Sequence, residues 1–387
     1  MTSSSANPFI YEDALGPDVS DLVGRGEIIA ELSEHMRRHA TLVLTGTRYI
    51  GKTSILNFLT AEMQRQKWQI VRVECLGCAT YEDLCKRVIN GMSKLDDKKA
   101  RQVKLRVAAE VDAIETTEEW GADVKLLHKK SKTSRTRTGV GSGKERLEIT
   151  FSAIRDVCGK KLSHLAFFFD ESHYLAFDED VLAVLKAHLK DQGISTVFTG
   201  SKRRMLTQMF AHDQSAYARR ATIVEVRNID PNVFQQFIVR KFEESSKGIT
   251  PEAVRLLFGY VGISPQRVQE MAHYTWELTE TGEVAGVDRV DEALHAAIRR
   301  NRPYFVSEFK EMGSEPEREL KRALARTPLP SLGSNKWFDE VGLARVGAFR
   351  RKLEELEQED EILLTTSGEY RLRDPLFTLW MNESEMA

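Results

Sequence analysis

The 387-residue sequence lacks the features that mark secreted and membrane-spanning proteins. It contains no run of about 18 consecutive apolar residues, so we expect no membrane-spanning helix. Its first twenty residues lack the basic segment and apolar block of a secretory signal. The formal net charge is only -2, so any surface for a polyanion must be local. These absences favour a cytoplasmic protein.

Cysteine is also scarce. Cys75 and Cys78 form the segment CLGC, whose spacing suits half of a zinc site or a redox pair. Cys75, however, ends a strand-like run, and no second ligand pair follows at zinc-finger spacing. We therefore expect Cys75, Cys78, Cys85 and Cys158 to be small buried side chains.

Five short apolar segments alternate with helical patterns through the first 230 residues. Near-continuous apolar runs of this length are typical of strands that are covered on both faces. The sequence therefore predicts an α/β fold, with a parallel sheet flanked by helices. The predicted strands are residues 41–46, 69–75, 165–171, 195–201 and 222–226.

The rest of the chain follows other patterns. A charged insertion occupies about residues 94–146, and residues 231–300 are purely helical in pattern, which predicts a small helical lid domain. One of its helices begins with Ser264 as N-cap and Pro265 in the first turn. In residues 301–387 three helical segments precede a hairpin with Ser367 and Gly368 at its turn, which is the winged-helix pattern.

One motif predicts a phosphate site. Gly46–Thr53, GTRYIGKT, fits GxxxxGK(S/T) in full between a predicted strand and a predicted helix. Glycines let backbone N–H groups converge on phosphate oxygens, and the helix presents its N-terminus to them. Lys52 should reach the β- and γ-phosphates, and Thr53 should ligate Mg²⁺. The predicted nucleotide-binding residues of this segment are Gly46, Thr47, Arg48, Tyr49, Ile50, Gly51, Lys52, Thr53 and Ser54.

A second motif, FFFDES, ends the third predicted strand with two carboxylates. Asp170 is predicted to hold Mg²⁺, and Glu171 to polarise the attacking water as general base. The letters DESH also spell a DExH box, as in helicases. Such helicases need a second sheet domain, but helices and a hairpin follow residue 232. We therefore expect His173 to support the site.

Taken together, these motifs resemble the AAA+/STAND-like prokaryotic ATPases, the archaeal-type ATPase group related to origin-recognition ATPases. The resemblance implies a P-loop NTPase fold, and an ATP-hydrolysing switch that uses ATP and Mg²⁺. The segment VGRGE resembles that family's opening motif, which places Gly24 and Arg25 near the adenine.

Three later segments extend the resemblance. FTGSKRRM resembles the sensor strand, with Thr199 or Ser201 facing the γ-phosphate or the water. YARRATIVEV resembles a segment whose arginine, here Arg220, reaches a nucleotide of its own chain or of a neighbouring subunit. GISPQRVQ resembles the lid motif, which implies roles for Pro265 and for Arg267 as sensor arginine.

The partners suggested are ATP or ADP, a nucleotide-dependent homo-oligomer, double-stranded DNA and a partner effector protein. DNA would bind at residues 125–146 and at the winged helix. The predicted cations of the winged helix are Arg345, Arg350, Arg351 and Lys352 on its recognition helix and Arg371 and Arg373 on its hairpin. An acidic run, residues 354–361, follows this recognition helix. Alternatives are a nucleic-acid-binding regulator with a structural nucleotide site, and a signalling module. The predicted basic cluster comprises Lys125, Lys129, Lys130, Lys132, Arg135, Arg137, Lys144 and Arg146.

Overall fold

A computed structural model describes residues 6–16, 22–110, 143–159, 164–343, 346–365 and 367–386. The basic cluster predicted at residues 125–137 lies outside these ranges. The described residues form two compact units. The sheet unit comprises Ile28–Thr45 and Leu56–Glu225; the helical unit comprises Gly46–Ile55, the residues that precede Ile28 and those from Val226 onward.

The sheet unit is built on five parallel strands in the order β2-β3-β4-β1-β5. Each strand matches a predicted segment to within one residue at either end, and three of them are buried along their whole length. The predicted α/β class with a parallel sheet is therefore confirmed. The strands are β1 (Thr41–Thr45), β2 (Gln69–Glu74), β3 (Leu165–Asp170), β4 (Ser195–Gly200) and β5 (Ala221–Glu225).

Helices flank this sheet and bury an aromatic core against it. Phe169 of β3 stacks on Phe198 of β4 with ring centroids 5.1 Å apart, and Phe210 packs on Phe198 at 4.7 Å. No helix in the described ranges is long and apolar enough to cross a lipid bilayer. The helices are α1 (Gly26–Arg37), α2 (Lys52–Arg65), α3 (Tyr81–Leu95), α4 (residues 97–110), α5 (Gly143–Cys158), α6 (Asp180–His188) and α7 (Arg203–Ala211).

The register of the sheet determines which strand ends meet. Thr45 of β1 pairs with Gly200 of β4 and with Glu225 of β5, while Glu74 of β2 pairs with Asp170 of β3. Because all five strands are parallel, their last residues lie along one edge, which we call the carboxyl edge. Ala221, the first residue of β5, lies at the opposite, amino edge.

Residues 231–311 of the helical unit contain four helices, two of which begin with a side-chain cap. Asp230 and Thr250 cap α8 and α9 by accepting hydrogen bonds from backbone N–H groups, and a proline follows each cap. Ser264 is the predicted N-cap of α10, although its side chain makes no capping bond. The helices are α8 (Pro231–Glu244), α9 (Pro251–Val261), α10 (Pro265–Glu277) and α11 (Val287–Glu311).

The prediction that residues 231–300 are purely helical is wrong. Two short parallel strands, β6 (Gly248–Ile249) and β7 (Val284–Ala285), pair within this region. A two-residue strand carries too little periodicity to be recognised in a sequence. The boundary predicted near residue 300 falls inside α11.

The last part of the chain has three helices followed by an antiparallel hairpin, the order of elements that the sequence suggested. Gly368, at the turn, has a positive φ of 83°, which favours glycine. A further helix, absent from the sequence analysis, follows the hairpin. The elements are α12 (Glu315–Arg326), α13 (Asn335–Glu340), α14 (Val346–Gln358), β8 (Ile362–Leu364), β9 (Tyr370–Leu372) and α15 (Pro375–Met386).

Packing of α3 on β2 leads to a first prediction. A Cβ atom at Gly91 would lie 2.4 Å from the carbonyl oxygen of Arg72 and 2.9 Å from Cγ1 of Val71. Gly91→Ala should therefore lower the free energy of unfolding by about 1–3 kcal/mol, as measured by urea denaturation. Gly259→Ala, in α9, is the control, because a Cβ there meets nothing within 4 Å. Equal stabilities of the two variants would contradict the prediction.

Candidate functional site

The predicted phosphate loop begins directly after β1. A Cβ at Gly46 would lie 3.0 Å from Cγ2 of Ile50 and 3.1 Å from Cβ of Val226, so a side chain would crowd the loop. Tyr49 and Gly51 have positive φ angles of 66° and 94°, and α2 then begins at Lys52. A loop with this turn at a helix N-terminus directs backbone N–H groups to an anion.

Lys52 is held across this loop. Its side chain is only 5% exposed, and its Nζ donates hydrogen bonds to the carbonyl oxygens of Gly46 and Thr47, both at 3.0 Å. The next residue, Thr53, is exposed. The loop therefore has a positive charge fixed at its own backbone, as binding of a polyphosphate requires.

Arg25, which precedes the loop in the sequence, contacts the backbone of the loop. Its buried guanidinium donates to the carbonyl oxygens of Ile50, at 3.1 Å, and Arg227, at 2.6 Å. Burial lowers the pKa of Arg25 to about 10. Gly24 beside it has a φ of 64°, and a Cβ there would lie 3.2 Å from Ile229. Contact of Gly24 and Arg25 with an adenine stays a prediction.

The tip of the loop contacts the C-terminal part of the helical unit. The backbone N–H of Arg48 donates to Oδ2 of Asp360 at 3.3 Å, and Asp360 also pairs with Arg373. The Arg48 guanidinium lies 5.0 Å from the centroid of the Tyr49 ring, and the Arg267 guanidinium lies 5.8 Å from it. No motif in the sequence indicated Asp360.

The segment of residues 6–15 lies along α10 and reaches the start of α2. Asn7 donates to the carbonyl oxygen of His273 at 3.1 Å, and the hydroxyls of Tyr11 and Tyr274 are 3.0 Å apart. At its end, the N–H of Leu15 donates to Oγ of Ser54 at 3.0 Å. The Ser54 hydroxyl therefore anchors this segment beside the loop.

Arg267, the predicted sensor arginine, lies at the centre of a buried ionic cluster two residues after Pro265. Its Nε donates to Oδ1 of Asp374 at 3.1 Å, and Nη1 bonds to Glu270. Asn301 donates to the other oxygen of Glu270. Burial by itself lowers the pKa of Arg267, but the carboxylates of Asp374 and Glu270 raise it above its ordinary value. Arg267 therefore stabilises the helical unit.

At the carboxyl edge of the sheet unit, Asp170 is 5% exposed, and both of its carboxylate oxygens have polar neighbours. The Thr199 hydroxyl and the Glu171 N–H, the latter at 3.1 Å, donate to Oδ1. Nη2 of Arg72 lies 3.6 Å from Oδ2. Thr199 of β4, rather than Ser201, thus contacts this carboxylate, and a sensor role for either residue stays a prediction.

Glu171 follows β3 in a left-handed conformation, with a φ of 51°. Its Oε2 is 3.4 Å from both the N–H and the hydroxyl of Ser201. Nδ1 of the buried His173 lies 3.2 Å from the same oxygen but is not aligned for a hydrogen bond. The structure brings together Glu171, Ser201 and His173, and so the expected supporting position of His173 agrees with the geometry.

The sequence patterns did not indicate Arg72 and Asn57, which lie near Asp170. Arg72, in the middle of β2, bonds through Nη1 to the side-chain oxygen of Asn57 in α2. Burial outweighs the neighbouring charge of Asp170 and lowers the pKa of Arg72 below its ordinary value. An arginine inside the apolar segment QIVRVEC was the available signal, since such residues are rarely buried without a partner.

Arg220 lies at the other end of the sheet. It directly precedes Ala221 at the amino edge, and its side chain is exposed. A five-residue strand spans about 16 Å, which is longer than an arginine side chain. Arg220 therefore cannot reach Asp170 or Glu171 of its own chain.

Some of the described cations in the regions predicted to bind DNA pair with acidic residues. Lys144 pairs with Asp180 at 2.8 Å, and Lys352 with Glu317 at 2.9 Å. Arg371 of the hairpin pairs with Glu369 at 3.2 Å. These contacts reduce the positive charge that the surface offers to phosphates.

The cysteines occupy the core. All four are buried, and burial raises the pKa of Cys78 to about 11 and that of Cys75 further. Protonated thiols are poor nucleophiles and metal ligands.

Comparison with solved structures agrees with this architecture. The chain is similar to the Walker-type ATPase of Pyrococcus abyssi, with 17% identity, 95% of this chain and 98% of that chain covered, and a TM-score of 0.64. The fold is that of a P-loop ATPase. This likeness confirms the predicted P-loop fold class, in which a helical C-terminal region follows the sheet.

Weaker similarities extend to two further archaeal proteins. Cdc6p from Pyrobaculum aerophilum shares 11% identity over 97% of this chain and 98% of its own, with a TM-score of 0.46. Orc1 of Aeropyrum pernix, solved in complex with DNA, shares 14% identity over 94% and 93%, also with a TM-score of 0.46. No protein-family model and no curated protein sequence matches this P-loop chain.

The ionic cluster around Arg267 leads to a second prediction. Arg267→Met should leave Glu270, only 1% exposed, without its cation and lower the free energy of unfolding by about 3–5 kcal/mol. Urea denaturation measures this loss. Arg255→Met, which removes an exposed pair with Glu252, should cause no measurable loss. A stable Arg267→Met variant that no longer hydrolyses ATP would support the sensor role instead.

Proposed function

We propose that this chain is a Mg²⁺-dependent ATPase of the AAA+/STAND kind that acts as a nucleotide-gated switch. The observation that carries the proposal is the GTRYIGKT loop between β1 and α2, with the buried ammonium of Lys52 bonded to the loop backbone. The acidic pair at the end of β3, Asp170 and Glu171, supports hydrolysis of the nucleotide rather than binding alone. The P-loop ATPase fold agrees with both.

The residues of the loop have distinct proposed roles. Its backbone N–H groups and Lys52 bind the β- and γ-phosphates. The Thr53 hydroxyl and the Asp170 carboxylate are each an oxygen donor of the kind that Mg²⁺ prefers, so the chemistry of each fits a ligand that would hold the ion. When bound, Mg²⁺ neutralises charge on the phosphate oxygens.

The second acid has a different task. Glu171 is less buried than Asp170, with 28% of its side chain exposed, so water can reach it. We assign it as the general base that accepts a proton from the attacking water. The N–H and hydroxyl of Ser201, both 3.4 Å from Oε2, restrict the orientation of its carboxylate.

Two substitutions test these roles. Lys52→Ala should abolish ATP binding, because the loop loses its positive charge. Glu171→Gln should bind ATP like the parent but hydrolyse it about 100-fold more slowly or worse, because the amide cannot accept the proton. Calorimetry measures binding, and phosphate release measures turnover.

Glu179→Gln is the matched control for the base, because it removes a nearby acid whose side chain forms no capping bond. It should keep the parent rate. Hydrolysis by Glu171→Gln at the parent rate would show that the base is another residue. Absence of Mg²⁺-dependent ATP binding by the parent chain would contradict the proposed function itself.

The position of Arg220 bears on whether the chain acts as an oligomer. An arginine at the amino edge cannot complete the acidic site of its own chain, so we infer that Arg220 acts on a nucleotide held by a neighbouring subunit of a homo-oligomer. An arginine supplied in trans stabilises the charge of the transition state and accelerates hydrolysis by about three to five decades.

Mixing two inactive variants tests this assignment. Arg220→Ala should bind ATP but lose turnover, because its own pocket is intact and its neighbour's arginine is missing. Mixed with Lys52→Ala, it should recover part of the hydrolysis, since Lys52→Ala subunits still supply Arg220. Arg204→Ala, another arginine of the sheet unit, is the control. Failure of the mixture to recover, with the oligomer intact, would contradict action in trans.

A second candidate function is a nucleic-acid-binding regulator whose nucleotide site is mainly structural. It is favoured by the three helices and hairpin of residues 315–372, which we propose to be a winged helix that binds double-stranded DNA together with residues 125–146. DNA binding that depends on salt and survives Lys52→Ala would support it. A nucleotide-dependent change in mass without DNA would point to an oligomer or a partner effector.

A further inference from the structure

The two oxygens of Asp170 have different neighbours. Oδ1 accepts hydrogen bonds from the Thr199 hydroxyl and from the N–H of Glu171. Oδ2 instead faces Nη2 of Arg72 at 3.6 Å. Two donors at Oδ1 are enough to fix the orientation of the carboxylate. The ion pair with Arg72 therefore contributes charge more than orientation.

The guanidinium of Arg72 contacts two side chains. Nη1 donates to the side-chain oxygen of Asn57 in α2, while Nη2 faces Asp170 from the neighbouring strand. The guanidinium is held on the Asn57 side by a hydrogen bond and on the Asp170 side by a longer ionic contact.

We propose that Arg72 is a resident counter-ion of Asp170 that sets how tightly the chain holds the divalent cation of its nucleotide. This inference rests on the proposed function, because it takes Asp170 as a ligand of that cation or of its water shell. Arg72 acts through Asp170 in this proposal. It bears on the affinity for metal and not on the attacking water.

Two physical effects of Arg72 on metal affinity have the same sign. A guanidinium next to Oδ2 repels a divalent cation that approaches the same oxygen. It also stabilises the metal-free state, because it places a positive charge beside a buried carboxylate. Removal of the guanidinium should therefore tighten metal binding, although it removes a favourable contact from the protein.

The experiment uses Mn²⁺ as the probe, in the full chain with a non-hydrolysable ATP analogue. Free Mn²⁺ is measured by electron paramagnetic resonance, and the unfolding temperature is measured with EDTA and with saturating Mn²⁺. Arg72→Met should bind Mn²⁺ about tenfold more tightly than the parent, the effect of one nearby charge. Its unfolding temperature should fall in EDTA and recover with metal.

Two further variants separate charge from structure. Arg72→Lys keeps the charge and should bind Mn²⁺ like the parent. Asn57→Ala keeps the guanidinium but removes its anchor, so Arg72 should pair more fully with Asp170 and weaken Mn²⁺ binding. This opposite direction tests the proposal even where Arg72→Met does not fold. Arg106→Met, which removes an exposed pair with Asp156, should change neither property.

The outcomes distinguish this inference from the proposed function. Mn²⁺ affinities of Arg72→Met and Asn57→Ala within twofold of the parent would show that Arg72 is only a structural residue, while the ATPase proposal stands. A parent chain that binds no Mn²⁺ with the ATP analogue would overturn both. Tighter binding by Arg72→Met or weaker binding by Asn57→Ala supports the counter-ion role.

Discussion

The parallel register of the central sheet is the constraint on which the acidic site depends. Asp170 is the last residue of β3, and Glu171 follows it in a left-handed conformation. The pairing of β3 with β4 places Thr199 and Ser201 where they contact these two acids. A shift of β4 by one residue would turn Thr199 away from Asp170, because side chains alternate between the faces of a sheet.

The conformation of the phosphate loop depends mostly on hydrogen bonds between side chains and the backbone of the loop. Lys52 and Arg25 donate to carbonyl oxygens of the loop, and Asp360 accepts from the N–H of Arg48. The residues that brace the loop come from both ends of the chain. A change in the conformation of the loop would therefore alter the contacts that Arg25 and Asp360 make with it.

Two arginines for which a motif predicts a contact with the nucleotide have buried contacts within the protein. Arg267 sits between Asp374 and Glu270, and Arg25 bonds to two carbonyl oxygens. A buried cation is stable only when its neighbours offset the loss of hydration. Such a residue contributes to nucleotide binding only if its present partners are exchanged for the ligand.

The fold and the chemical core of the site could be predicted from the sequence. The five strands follow from apolar runs, because a strand covered on both faces must be apolar throughout. The loop from Gly46 to Thr53 and the pair Asp170 and Glu171 follow from short local patterns. In each case the pattern that carries the prediction lies within a few residues.

Only the tertiary structure showed which distant segments of the chain are in contact. Arg72 faces Asp170, and Asp360 reaches Arg48, because folding brings these segments together. Arg220 directly precedes β5, and the parallel pairing of β5 with β1 places it at the amino edge, opposite to the edge that holds Asp170. The sequence determined which groups are available for chemistry, whereas the fold decided which of them are neighbours, since long-range pairing depends on packing and not on local propensity.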